Sequence, residues 1–332
     1  MAKTSMNKDQ NQKPLFDALI NYGLRTNVTP FDVPGHKMGR GIHQDFKDAV
    51  GAEIFKIDVN SMKELDNLSN PTGIIKEAEE LAADLFGADY AFFLVNGSTG
   101  GVQNMILSAC NPGDKIILPR NVHKSAINGL VLAGAKPVYI QPLVNSKIGI
   151  SMGISLKDVK RTIDENLDAK AILVLNPTYY GFTSNLKKII KYAHSKNIAV
   201  LVDESHGSHF YFDDRFPEGS IRLGADLATI SVHKTGGSLT QSSMLLGNEG
   251  LISRSKVRSI INVMQTSSAS YLLLGSLDMA RYNLATNSSM FENIVSLSNY
   301  ARDQINQIPY LSCVDANILN GNEIFARDLS KL

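Results

Sequence analysis

Two uninterrupted apolar runs, AILVL at residues 171–175 and IAVLV at 198–202, constrain this chain more than any other feature. A strand with one wet face alternates apolar and polar residues. A strand apolar at every position is buried on both faces, as in a parallel sheet covered by helices. The segment between the two runs, LKKIIKYAHSKN, reads as a helix, and so does SLKDVKRTIDENL before the first. The same alternation extends upstream, with YAFFLV, KIILP and PVYI as strands and GGVQNMILSAC and HKSAINGLVLAGA as helices. Strands alternating with helices in this way predict an α/β doubly wound domain with a mainly parallel sheet. Two further helices are predicted ahead of it. KPLFDALINYGLR places Leu15, Ala18, Leu19 and Tyr22 at helical spacing, and GIIKEAEELAADLFGA closes at Gly87. Beyond about residue 250 the alternation weakens, and KVRSIINVMQ and SYLLLGSLDMARYNLA read as helices.

Composition bounds the function classes. The 332 residues are 43% hydrophobic and 20% charged, the balance of a soluble globular enzyme. A formal net charge of +1 with scattered basic residues gives no polyanion-binding face, so no nucleic-acid partner is expected. Cys110 and Cys313 form no framework, and no CxxC or Cys/His cluster suggests a metal. A reducing cytoplasm is the expected location. The opening MAKTSMNKDQNQK lacks the apolar run of a signal peptide, and no stretch approaches the ~18–20 apolar residues of a membrane span.

In a doubly wound sheet, ligands meet loops at the carboxyl ends of strands. Four such loops stand out. VNGSTGG (95–101) brings Gly97, Ser98 and Thr99 to a strand–helix junction, where glycine amides and hydroxyls suit an anion. It could equally be a helix cap, with Ser98 or Thr99 as N-cap. LPRNVHKSA places His123 where a flat ring could stack on a planar ligand or serve as a structural hydrogen-bonder. VLVDESHGS puts Asp203 at the end of an apolar run, where a carboxylate needs a cationic or donor partner. His206 and His209 follow, but DxxH lacks a third metal ligand nearby. The fourth loop, ISVHKTGGSLTQSSML (230–245), carries Ser231, His233 and Lys234 at the join of two apolar strands. Burying that ammonium costs several kcal/mol unless it is paired or used chemically. Each loop alone has an ordinary structural explanation. Together they supply a phosphate site, a stacking imidazole, a buried acid and a buried lysine, the set that pyridoxal 5′-phosphate requires. A nicotinamide enzyme would need GxGxxG and a ribose-binding acid, and neither is present.

These segments resemble the Orn/Lys/Arg decarboxylases. FDVPGHKMGRG, ELDNLSNPTGIIKEAEELAADLFGA, NGSTGG, RNVHKS, NPTYYG, DESHG and SVHKTGGSLTQSSML match family segments in order over about residues 30–285, most closely those of the shorter bacterial arginine decarboxylases. The resemblance implies an aspartate-aminotransferase-like (fold type I) large domain and pyridoxal phosphate on a lysine imine at Lys234. It implies that Asp203 pairs with the pyridinium N–H, that His123 stacks on the ring, and that Gly97, Ser98, Thr99, Ser231 and His233 hold the phosphate. It places His206 beside the phenolic oxygen or the imine. The implied reaction is α-decarboxylation of a basic amino acid, arginine before lysine or ornithine, within polyamine metabolism. Alternatives left open are another reaction on the same cofactor, or a cofactor-binding fragment with little turnover. A homodimer or higher homo-oligomer is implied, because active sites of this fold lie at subunit interfaces. Ser69 stands where the family often has histidine. The implied organisation is an N-terminal helix and loop segment (1–60), a cofactor-binding domain (61–290), and the start of a C-terminal small domain (291–332) that runs further in family members.

Overall fold

In the computed structural model, which describes residues 6–146, 148–314 and 325–332, the apolar runs form the centre of a seven-stranded sheet. Its strands are β1 (Tyr90–Leu94), β2 (Lys115–Pro119), β3 (Lys136–Ile140), β4 (Ala171–Leu175), β5 (Ala199–Asp203), β6 (Leu227–Ile230) and β7 (Ser243–Gly247). They lie in the order β1-β7-β6-β5-β4-β2-β3. All pairings from β6 to β3 are parallel, and β7 alone runs against its neighbours β1 and β6. Every residue of β5 is buried, as is β4 up to its last position.

The burial has two sides, as the continuous runs require. On one face Phe92, Ile116, Leu173 and Leu201 pack against the helices Gly97–Ala109, Lys124–Ala133 and Arg254–Met264. On the other, Phe93, Ile117, Ile172 and Val200 pack against Pro14–Gly23, Ile74–Phe86, Leu156–Asp164, Leu186–His194 and Tyr271–Thr286. Each fully buried Ile or Leu in these layers contributes about 1.5–3 kcal/mol, so the central strands dominate the fold's stability.

Local signals behave as the sequence predicts at most ends. Gly87 closes its helix in the left-handed conformation (φ +74°). At the other end of that helix the carboxylate of Asp66 accepts the amides of Gly73 and Ile75 at 2.8 and 3.1 Å. The helix Pro14–Gly23 is anchored similarly: Asp278 accepts the amides of Leu15 and Phe16, and Arg281 pairs with Asp278 at 2.7 Å, both side chains sealed from solvent. Residues 182–183 and 326–327 form a separate two-stranded antiparallel ribbon beside the sheet. Part of the segment expected to open a small domain, residues 315–324, lies outside the described residues. Among the described residues no helix is long and apolar enough to cross a membrane.

Candidate active site

The carboxyl ends of β1, β2, β4, β5 and β6 converge on one cavity of about 500 Å³, within the range of small-molecule sites. Its lining contains every residue assigned to the cofactor site from the sequence: Gly97, Ser98, Thr99, His123, Asp203, His206, Ser231, His233 and Lys234.

Beyond β1, VNGSTGG leads into the first turn of a helix that begins at Gly97 (φ +67°), with Asn96 at the N-cap. The expectation of Ser98 or Thr99 as N-cap is therefore corrected. No side chain caps this helix, and both hydroxyls lie inside its first turn. The first amides of such a helix have no intrahelical acceptor and face whatever occupies the cavity. Ser231 Oγ donates to Ser98 Oγ at 2.8 Å, joining the β6 loop to the turn. Gly101 explains how closely the helix sits on the sheet: a Cβ there would lie 2.0 Å from Thr229 Oγ1.

His123 is itself an N-cap, of the helix Lys124–Ala133. Its Nδ1 accepts the Ser125 amide at 3.2 Å and lies 2.9 Å from Ser125 Oγ. An Nδ1 that accepts a backbone N–H carries no hydrogen, so the neutral ring is protonated at Nε2. The structural and ligand-facing readings of His123 thus hold together, since it caps a helix and lines the cavity. In His233 the assignment reverses, because Nδ1–H donates to the Ser242 carbonyl at 2.8 Å.

Asp203 ends β5 and is buried, 6% exposed. Its recorded hydrogen bonds, from the Ser205 amide and hydroxyl, both fall on Oδ1. Oδ2 is left for a donor on the cavity side. Lys234 lies at the join of two strands as expected, in a one-turn helix, Val232–Thr235, between β6 and β7. The expectation of a buried ammonium is corrected, because the side chain is not sealed in the core but opens into the cavity. Its Nζ is 3.1 Å from His206 Nε2. Partial burial lowers the Lys234 pKa below an ordinary lysine, Asp203 opposes the shift, and Lys331 adds to it. Burial, with Lys234 and Lys331 close by, brings His206 down to about 4. At neutral pH His206 is an uncharged acceptor facing a lysine with an enlarged free-amine fraction.

The structure adds residues that the loop-by-loop reading missed. Tyr179, Ser205 and Gln241 line the cavity. Tyr179 meets His206 edge-to-face at 5.4 Å, and Gln241 adopts φ +82° and donates to the Val95 carbonyl at 2.6 Å. NPTYYG and TQSS carried the signal, but nothing in their local pattern aims them at β5. Glu204 lies beneath the site, fully buried. It accepts Ser220 N–H and Oγ–H at 2.8 Å each and Tyr211 O–H at 2.5 Å, and burial, countered by these donors, moves its pKa up to about 7.

The profile of the Orn/Lys/Arg decarboxylase major domain matches residues 13–330. The chain belongs to the Orn/Lys/Arg decarboxylase family. It is similar to arginine decarboxylases of Bacillus cereus (45% identical) and Bacillus subtilis (46% identical), each over 324 residues covering 97% of this chain. It spans 70% and 66% of the lengths of those relatives, respectively. The crystal structure of a Francisella novicida lysine decarboxylase superposes with a TM-score of 0.80 at 25% identity, over 89% of this chain and 44% of that one. That likeness bears out the fold-type I decarboxylase architecture.

Proposed function

We propose that this chain catalyses the pyridoxal 5′-phosphate-dependent α-decarboxylation of a basic amino acid, arginine first and lysine or ornithine next, to the amine and CO2. The observation that carries the reading is the convergence of the Gly97 helix turn, Asp203 and Lys234 on one cavity, with Lys234 Nζ against the neutral acceptor of His206. The similarity to Bacillus arginine decarboxylases supports the substrate order.

The donor set fits the cofactor on its own chemistry. Unpartnered helix amides, the Ser98 and Thr99 hydroxyls, Ser231 and His233 suit a phosphate. Asp203, at the far end of a buried strand, suits a cationic ring N–H. His123 lines the same cavity, where its ring would stack on the cofactor's. When bound, pyridoxal phosphate supplies an electrophilic aldehyde and a conjugated ring that takes up the electron pair released with CO2.

The chain's own residues do the rest. Lys234, with its lowered pKa, offers the amine nucleophile. His206 Nε2 accepts a hydrogen bond from Lys234 Nζ and so orients the amine, with Lys234 the more basic member of the pair. The same pair delivers the proton that replaces CO2 on the α-carbon. Asp203, oriented by its Ser205 donors, places a carboxylate at the far end of the cavity. A homodimer or higher homo-oligomer in the cytoplasm belongs to this reading, and exposed Leu24, Phe31, Val33 and Phe46 give the N-terminal segment an apolar surface for a second subunit.

Incubating purified, cofactor-supplemented protein with arginine, lysine or ornithine and measuring CO2 tests the reading, with light scattering for assembly. CO2 from at least one substrate, fastest from arginine, is expected. A protein that takes up the cofactor and releases CO2 from none of the three contradicts it.

A further inference from the structure

An amino-acid substrate brings an α-carboxylate, and the cavity lacks an obvious cation for it. Among the described residues lining it, the only ammonium or guanidinium belongs to Lys234, which the proposed function commits to the cofactor. Outside that lining, residues 325–332 carry Lys331. This segment is pinned to the outer wall of the site: Phe325 N–H donates to the Thr183 carbonyl at 3.0 Å and Asp328 N–H to the Gly181 carbonyl at 2.8 Å. Gly181 (φ +86°) ends the turn that brings Tyr179 to the cavity, and a Cβ there would fall 2.8 Å from Lys331 Cγ. The stem of Lys331 therefore lies on this glycine.

Asp328 holds the arrangement from below. It is completely buried, and its Oδ1 lies 3.2 Å from Nε2 of His209, itself 2% exposed. The Ser330 amide and hydroxyl donate to the same oxygen at 2.9 and 2.7 Å. Burial would raise its pKa, but His209 and Ser330 together hold it low, so Asp328 is an anion in the fold. His209 comes three residues after His206, and Lys331 three after Asp328. One carboxylate thus ties the loop bearing His206 to the turn bearing Lys331. The charge of Lys331 is felt at both Lys234 and His206.

We propose that Lys331 is the cation that receives the substrate's α-carboxylate, and that Asp328, through His209, is the residue that positions it. A flexible ammonium orients a carboxylate at a single point, where a guanidinium would clamp both oxygens. That suits a group that must shed its charge and leave as CO2, because a tight ground-state clamp would raise the barrier.

This inference rests on the proposed function, and a pair of ligands separates the two. Arginine and agmatine differ only by the carboxylate. Affinity for each is measured by calorimetry on borohydride-reduced, catalytically silent holoprotein, alongside KM for arginine and Ki for agmatine on the active enzyme. Lys331→Met is expected to weaken arginine tenfold or more while leaving agmatine within twofold, and Lys331→Arg to restore most of the arginine affinity. Asp328→Asn is expected to reproduce the arginine-selective loss. Equal weakening of both ligands in Lys331→Met, or of neither, overturns the assignment. Asp328→Asn weakening both ligands alike overturns the positioning role. If neither ligand binds the wild-type protein, the proposed function itself falls.

Discussion

Lys234 Nζ and His206 Nε2 lie 3.1 Å apart at the mouth of the β5 and β6 strands, and after burial it is the Lys234 ammonium that most disfavours a charged His206. An ammonium beside a second titratable nitrogen disfavours double protonation. The pair therefore carries one proton over the physiological range, where a solvent-exposed lysine and histidine would share up to two.

That relationship gives a pH dependence with a definite sign. His206 titrates near 4 in the fold, against an ordinary value of 6.5. Between those values the unfolded chain binds the proton and the folded chain does not, so stability falls as pH drops through this window. Thermal melts of cofactor-free protein between pH 7 and pH 4.5 should show a smaller acid-side loss in His206→Gln than in wild type. Equal slopes would place the acid sensitivity elsewhere.

Glu204 has the opposite sign. Its carboxyl titrates near 7 in the fold against 4.5 when unfolded, so its contribution is complete below 4.5 and is lost as pH rises through 7. Glu204→Gln keeps a neutral polar group among Tyr211 and Ser220 and should cost under about 1 kcal/mol at pH 8. Glu204→Ala strands three buried donors and should cost about 2–4 kcal/mol. Denaturant melts of both variants at pH 5 and pH 8 check this.

Gly101→Ala should damage the anion end of the cavity. Its methyl would overlap Thr229 Oγ1, forcing the helix Gly97–Ala109 off the sheet. Overpacking of this kind costs about 1–3 kcal/mol, and the shift moves the helix amides. Cofactor affinity by fluorescence titration should fall tenfold or more, and the double variant with Thr229→Ala should recover part of it. Unchanged affinity in the single variant would refute the role of that close approach.

On the proposed function, Asp203→Asn removes the carboxylate that would face the cofactor ring while preserving shape. Turnover should fall about 100-fold or more, the usual scale for losing one preorganised electrostatic partner. Cofactor content, measured by absorbance after gel filtration, should stay above half. A variant that keeps wild-type turnover contradicts the assigned role of Asp203.

The sheet and the loops that line the cavity were legible because both depend on local signals. AILVL and IAVLV are buried on both faces as read, and the loops leaving β1, β2, β5 and β6 meet as the doubly wound rule requires. What stayed hidden depends on distant partners. Asp203 and Glu204 are neighbours in one motif, yet only the fold shows that burial raises the second one's pKa while Ser220 and Tyr211 donate to it. His209 carried no assigned role in the sequence, because its partner Asp328 sits in another part of the chain. The N-cap at Asn96 was missed because glycine begins this helix in the left-handed region, which hydroxyl-cap reasoning does not anticipate.

The central claim is that Lys234 carries the cofactor, and borohydride reduction followed by peptide mass mapping tests it most directly. The purified protein should show a visible absorbance band that borohydride bleaches, with the reduced cofactor mass on the peptide containing Lys234 and on no other. Lys234→Ala should lack both the band and the adduct, and should release no CO2 from arginine. An adduct on a different lysine, or sustained decarboxylation by Lys234→Ala, would contradict the account.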